Sequence, residues 1–99
     1  MPRAADAVVE IGGLKATIIL RRQVPGSNPQ LEVVLGRCKE DEFATWMYRA
    51  DHNSYFWGRY FWFPDDKGAD AELWALRHAI DDFQRRYKEN SHEAAYERD

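Results

Sequence analysis

The stretch FATWMYRADHNSYFWGRYFWF, residues 43–63, decides the fold of this chain. It holds ten of the fourteen aromatic residues, in two runs that flank the turn-forming sequence ADHNS. Because side chains alternate between the two faces of a strand, the runs predict a β-hairpin with aromatic side chains on both faces. Pro64 ends the second run, since proline has no N–H to donate to a neighbouring strand.

The residues before this hairpin predict another one. Apolar and polar side chains alternate in residues 14–21 and 31–35, and the loop between them contains two prolines and a glycine. The connection is too short for a parallel crossover, so the two strands are antiparallel. Gly12 and Gly13 allow a bulge or a tight hairpin turn, which leaves residues 7–11 as a short additional strand or an edge extension.

The C-terminal part of the chain predicts one long helix. It begins after Asp70, a good N-cap residue, and ends near Asn90, a fair residue for the position after a helix. Its apolar residues recur at spacings of three and four and form one stripe, namely Leu73, Leu76, Ile80, Phe83 and Tyr87. Asp81 and Asp82 lie between stripe residues, so we expect both to be solvated and the replacement of Asp82 by alanine to cost little.

Together these elements predict an α+β fold. Two hairpins form a four-stranded antiparallel sheet, and the C-terminal helix packs on one of its faces. The length of 99 residues fits one domain, which we place at residues 7–89. We expect residues 1–6 and 91–99 to be flexible termini.

The aromatic hairpin offers more apolar surface than one helix can cover. We expect the open face of the sheet to carry the partner-binding residues Trp46, Tyr48, Trp57 and Arg59. The residues that we expect to face the helix are Phe43, Met47, Tyr60 and Trp62. A one-residue shift in register or a bulge at Gly58 would exchange the two faces. An exposed aromatic patch of this kind marks an interface, which a partner protein or a second copy of the chain in a homodimer would bury.

Composition narrows the class of protein. The net charge is −3, so a general electrostatic hold on nucleic acid is not expected. Cys38 is the single cysteine, which excludes an internal disulfide and fits a reducing compartment. The sequence has no membrane-spanning apolar run and no secretory signal core, so we expect a cytoplasmic protein that does not contact membranes.

Catalytic and metal-binding signatures are weak. Cys38 could pair with His52 or His78 as a nucleophile, but neither histidine lies in a local catalytic motif. No histidine, cysteine or acidic residues follow a metal-ligand spacing, and Gly12-Gly13 lacks the context of a phosphate-binding loop. The sequence therefore predicts a protein without enzymatic activity, catalytic residues, metal or cofactor.

One pattern resembles a group of known proteins. The sequence GRYF at 58–61, followed by AIDDFQRR at 79–86, is similar to small uncharacterised accessory proteins of bacteriophages and other mobile elements. Those proteins have an aromatic hairpin before one C-terminal helix. The resemblance implies an accessory protein of a phage or its host and implies no reaction.

The leading hypothesis is a non-enzymatic binding protein that inhibits or modulates a host protein by occupying its surface. Inhibitors of bacterial defence systems resemble this chain in size, acidity and lack of catalytic motifs. The alternative is a single-stranded nucleic-acid-binding protein that uses the aromatic sheet face, with stacking on its rings and phosphate contacts from Arg59.

Overall fold

The computed structural model describes residues 7–27 and 30–97, with side chains through Ser91. Its strands are β1 (Val8–Ile11), β2 (Leu14–Gln23), β3 (Leu31–Lys39), β4 (Glu42–Arg49) and β5 (Ser54–Trp62). They lie in the sheet in chain order, every neighbouring pair is antiparallel, and the sheet curls into a half-barrel. A 3-10 segment (Asp65–Asp70) leads into helix α1 (Ala71–Glu97). The predicted α+β fold with an antiparallel sheet and one C-terminal helix is confirmed.

The sheet has five strands, so the prediction of four is wrong. Gly12 and Gly13 adopt φ values of 58° and 84°, which other residues rarely reach, and they form the tight turn that joins β1 to β2. Val9 then pairs with Ala16. The predicted flexible segment at residues 1–6 lies outside the described residues.

Helix α1 continues beyond its predicted end near Asn90. The Asn90 side chain donates a hydrogen bond to the carbonyl of Arg86, one turn earlier, and the backbone stays helical through Glu97. Residues 91–97 contain neither glycine nor proline, so no strong helix breaker stops the helix at Asn90. Within residues 7–27 and 30–97, no helix combines the length and the apolar character needed to cross a bilayer.

The first core lies between the sheet and α1. Its fully buried members are Val24, Val33, Leu35, Phe43, Met47, Ala75, Ala79 and Phe83. Ala75 and Ala79 are small and completely buried, which lets the helix axis approach the strands closely. Leu73, predicted to belong to the buried stripe, is instead 54% exposed. The buried face of α1 is therefore centred on the alanine positions rather than on Leu73.

A second core lies on the opposite face of the sheet. It consists of Ala16, Ile18, Val34, Ala44 and Trp46, with Val9, Ile11, Cys38, Tyr48 and Tyr55 packed around it. Because β1 and β2 contribute residues to it, the curl of the sheet covers much of the face that we expected to be open. Ile18 and Ile19 are consecutive strand residues and face opposite sides of the sheet, so Ile18 joins this core and Ile19 packs with the first one.

Candidate functional site

Strand β5 forms one edge of the sheet, and β4 is its neighbour. A register shift opposite Trp46 divides β5 in two. On either side of the shift, Phe56 pairs with Met47 and Arg59 pairs with Thr45, so Trp57 and Gly58 together form a bulge. Trp57 has φ of 55°, a left-handed conformation that is unusual for a bulky residue.

The bulge decides which side chains of β5 face the helix. Phe56, Phe61 and Phe63 pack against the first core. Tyr55 packs against the second core, and both Tyr55 and Tyr60 contact Trp46. Trp62 stacks on Tyr60, with ring centroids 6.0 Å apart. The prediction that Tyr60 and Trp62 face the helix is therefore wrong, because the extra residue at Trp57–Gly58 exchanges the faces of the second half of the strand.

The four predicted partner-binding residues do not share one exposed surface. Trp46 and Tyr48 do face away from the helix, but Trp46 is only 1% exposed and Tyr48 is half-buried. Arg59 lies on the helix side and bonds Asp82, while Trp57 is 71% exposed at the bulge. Their assignment to a common open face is wrong, and a role for each of them in partner binding stays a prediction.

Trp46 is buried because two glycines leave room for its indole. A Cβ atom on Gly36 would lie 3.1 Å from Cζ3 of Trp46, and one on Gly58 would lie 2.9 Å from its Nε1. Gly36 is on β3 and Gly58 on β5, so the ring fits between the two strands that flank its own. This explains how the indole is covered on the face that the helix does not touch.

Five aromatic rings form a continuous row across this face, which we call the aromatic row. In spatial order they are Tyr48, Tyr55, Trp46, Tyr60 and Trp62, and successive ring centroids are 4.7, 6.3, 6.2 and 6.0 Å apart. Burial decreases toward one end, where Tyr60 is 37% exposed and Trp62 is 57% exposed. The exposed end of the row lies on the edge strand, and the buried Trp46 supports it by an edge-to-face contact.

On the helix side, Asp82 organises three arginines. Its carboxylate accepts hydrogen bonds from Arg59 Nη1 at 2.7 Å, Arg85 Nη2 at 2.6 Å and Arg86 Nε at 2.9 Å. It also accepts a hydrogen bond from the hydroxyl of Thr45 on β4. Asp82 is 6% exposed, so the expectation that it is solvated is wrong. The close approach of α1 to the sheet places position 82 against β4 and β5.

The charged groups in this cluster shift one another's pKa values. Burial alone would raise the pKa of Asp82, but hydrogen bonds from Thr45 and Arg85 and the charges of Arg86 and Arg59 hold it below its ordinary value. Burial also lowers the pKa of Arg86, and Asp82 offsets this effect only in part. Asp82 is thus a stable anion at neutral pH, surrounded by cations that outnumber it.

A cleft of about 440 Å³ opens beside this cluster, and we call it the arginine cleft. Its lining combines charged, polar and apolar side chains, namely Leu31, Met47, Phe56, Trp57, Arg59, Arg85, Arg86, Glu89 and Asn90. The volume falls in the range typical of small-molecule sites. Sequence patterns did not reveal this cleft, because Arg59 and Arg85 are brought together by Asp82, which looked like a surface residue.

The structure does not support a catalytic pair of Cys38 with His52 or His78. Burial raises the pKa of Cys38 to about 12, with Glu42 adding to the shift, so little thiolate exists at neutral pH. His52 is exposed in the turn before β5, and His78 lies against Trp74 on α1. In the part of the chain that the structure describes, no three histidine, cysteine or acidic residues are grouped to hold a metal ion.

Comparisons of the chain with protein-family models, with curated proteins and with solved structures found no match.

Proposed function

We propose that this chain is a non-enzymatic binding protein and that its partner is another protein, which docks on edge strand β5. The single observation that carries the proposal is the exposed pair Tyr60 and Trp62 at the end of the aromatic row. Tryptophan and tyrosine concentrate binding energy at protein interfaces, where they supply a large contact area with few rotatable bonds.

The position of this pair on an edge strand favours a protein partner. Strand β5 pairs with β4 on one side, and among the described residues no strand pairs with its other side. An added strand of a partner matches such an edge through backbone hydrogen bonds, and neighbouring side chains give specificity. After the bulge, residues 59–62 pair regularly with β4, so this half of the strand has the geometry that strand addition requires.

Within this class, we place the chain among accessory proteins of phages or mobile elements that inhibit a host defence system. The support is the resemblance carried by GRYF at 58–61 and AIDDFQRR at 79–86, together with the small size and the net charge of −3. Expression of the chain in bacteria that carry a defined defence system should then raise the number of plaques formed by a phage that the system restricts. An unchanged plaque count across a panel of such systems would contradict this narrower assignment.

The test of partner binding compares two partly exposed tryptophans. Trp62 lies in the aromatic row, and Trp74, 37% exposed, lies on α1 outside the row. We expect Trp62→Ala to lose a protein that the wild-type chain captures from a bacterial lysate, and Trp74→Ala to retain it. With the captured protein purified, Trp62→Ala should weaken its affinity by about 30-fold or more, the effect of a binding hot spot. Equal affinities of the two variants would refute the proposal.

A homodimer is the second candidate occupant of this edge, because two β5 strands could pair across a twofold axis. Sedimentation velocity of the wild-type chain and of Trp62→Ala distinguishes the cases. A dimer that dissociates in Trp62→Ala and persists in Trp74→Ala would assign the edge to a second copy. If the wild-type chain is a monomer at all concentrations, the occupant of the β5 edge is a different protein.

A further inference from the structure

The arginine cleft carries an unbalanced charge. Arg59, Arg85 and Arg86 face the carboxylates of Asp82 and Glu89, so the cluster has one excess positive charge. Glu89 accepts two hydrogen bonds from Arg85, at 2.9 and 3.0 Å, and Arg85 also bonds Asp82. Arg85 is therefore matched by carboxylates on both sides, and the excess charge belongs to Arg59 and Arg86.

Arg86 has hydrogen-bonding capacity that the described residues leave unused. The residue is only 8% exposed, and its Nε bonds Asp82. Its two terminal nitrogens have no hydrogen-bond partner among the described residues, although the side chain lines the cleft. A guanidinium that is held by Asp82 through Nε and keeps free donors at the cleft favours an anion that accepts from it, and a phosphate or carboxylate matches its planar fork.

The other half of the cleft is apolar and includes the strained Trp57. Its indole is 71% exposed and makes an edge-to-face contact with Phe56, with centroids 4.9 Å apart. A left-handed conformation at a bulky residue persists only where the surroundings enforce it, and such residues cluster at ligand sites. Here the conformation places an exposed aromatic ring on the cleft that holds the excess positive charge.

We propose that the arginine cleft binds a nucleotide, with the phosphate on Arg59 and Arg86 and the base stacked on Trp57. Arginine forks bind phosphate oxygens in pairs, and exposed aromatic rings stack on bases without regard to base identity. The excess charge of one matches the single negative charge of a phosphodiester, and the volume of about 440 Å³ accommodates a ligand of small-molecule size.

The nucleotide could be free or part of a single strand, since both present a phosphate and a base, and the phosphate carries one negative charge in a strand and nearly two in a free monophosphate. This site lies on the helix side of β5 and uses neither Tyr60 nor Trp62, so it does not rest on the exposed aromatic pair of the proposed partner surface, although the Arg59 backbone belongs to the same strand edge. A ligand with a carboxylate and no ring would satisfy Arg86 but leave Trp57 unused, which is why the nucleotide is favoured over an acidic peptide.

The experiment is a calorimetric titration of the full chain with adenosine monophosphate, a short oligodeoxyadenylate, inorganic phosphate and an oligoglutamate peptide. The key variant is Trp57→Gly, because glycine removes the ring and accepts the left-handed backbone without strain. The matched control is Trp74→Ala, which removes a partly exposed indole of α1 that does not line the cleft. Circular dichroism verifies that each variant is folded.

We expect a nucleotide probe to bind the wild-type chain at micromolar to millimolar concentration and more tightly than inorganic phosphate. Affinity should fall by about tenfold or more in Trp57→Gly and stay unchanged in Trp74→Ala. Tighter binding of the oligonucleotide would indicate that the natural ligand is a single strand. Tighter binding of the monophosphate would indicate that it is a free nucleotide. The proposal is overturned if neither nucleotide binds, if Trp57→Gly binds as the wild type does, or if phosphate or oligoglutamate binds as tightly as the nucleotides.

Discussion

Replacement of Asp82 by alanine should be among the most damaging single changes in this domain. The change removes the acceptor of four hydrogen bonds and leaves three guanidinium groups without their shared counter-charge. The matched control is Asp81→Ala, because Asp81 is the preceding residue of the same helix and is exposed.

The size of the effect follows from which donors water can reach. The side chains of Arg59 and Arg85 are 53% and 43% exposed, so both rehydrate and contribute little to the loss. Thr45 is completely buried, so its hydroxyl is left without a hydrogen-bond acceptor, which lowers the free energy of unfolding by about 1–3 kcal/mol. Arg86 is left as a buried, unpaired charge, which brings the total to about 3–5 kcal/mol. Asp81→Ala should change stability by less than about 0.5 kcal/mol.

The loss should also depend on pH. Because the pKa of Asp82 is lower in the folded protein than in the unfolded chain, its ionised form stabilises the fold at pH above the unfolded value. The stabilisation is lost as the pH falls below about 4 and toward the folded pKa. The difference in the free energy of unfolding between the wild type and Asp82→Ala is therefore largest at neutral pH and becomes smaller in acid.

Urea denaturation followed by circular dichroism at neutral and acidic pH measures both effects. We expect a midpoint well below that of the wild type for Asp82→Ala and an unchanged midpoint for Asp81→Ala. Coincident midpoints for the two variants at neutral pH would refute the buried position of Asp82 and the organisation of the arginines around it.

Three further predictions concern the aromatic residues and the thiol. Trp46→Ala should cost about 3–5 kcal/mol in urea denaturation and Trp62→Ala less than about 1 kcal/mol, and equal losses would contradict the burial of Trp46 between the strands. Trp57→Gly should be more stable than Trp57→Ala by about 1 kcal/mol because glycine removes the left-handed strain, and a less stable glycine variant would contradict the bulge. Cys38 should be alkylated by iodoacetamide far more slowly in the native protein than in urea at neutral pH, because its raised pKa leaves little thiolate, and equal rates would contradict its burial.

The sequence predicted the order of elements because their signals are local. Alternation in β2 to β5, the proline after β5 and the apolar spacing of α1 each identify an element without reference to the rest of the chain. The Gly12-Gly13 pair allowed an additional strand, and the structure shows that strand as β1. What remained open was the number of strands rather than their arrangement.

The faces of β5 could not be predicted, because the bulge has no local signature beyond Gly58. Nothing in FWGR indicates that Trp57 adopts the left-handed conformation, since the extra residue is required by the fit of Gly58 against the Trp46 indole. A shift of one residue exchanges every later side chain, which is why Arg59 and Trp62 both lie on the side opposite to the one expected.

The burial of Asp82 could not be predicted from the stripe of large apolar residues, because that stripe does not mark the centre of the buried face of α1. The centre of that face is Ala75, Ala79, Asp82 and Arg86, at spacings of four, three and four. Small residues in the first two turns bring the helix close to the sheet, and the next positions on the same face are then buried even though they are charged. An aspartate followed by arginines three and four residues later was the available signal for a buried ion cluster.

The proposed function requires a protein partner to dock on the edge of β5. Hydrogen–deuterium exchange of the chain, with and without the purified partner, measures this contact because it reports on individual backbone amides. We predict new protection at residues 59–62 of β5, and unchanged exchange in β1, the strand at the opposite edge. Protection confined to β1 or to the exposed side of α1, with β5 unchanged, would contradict the claim.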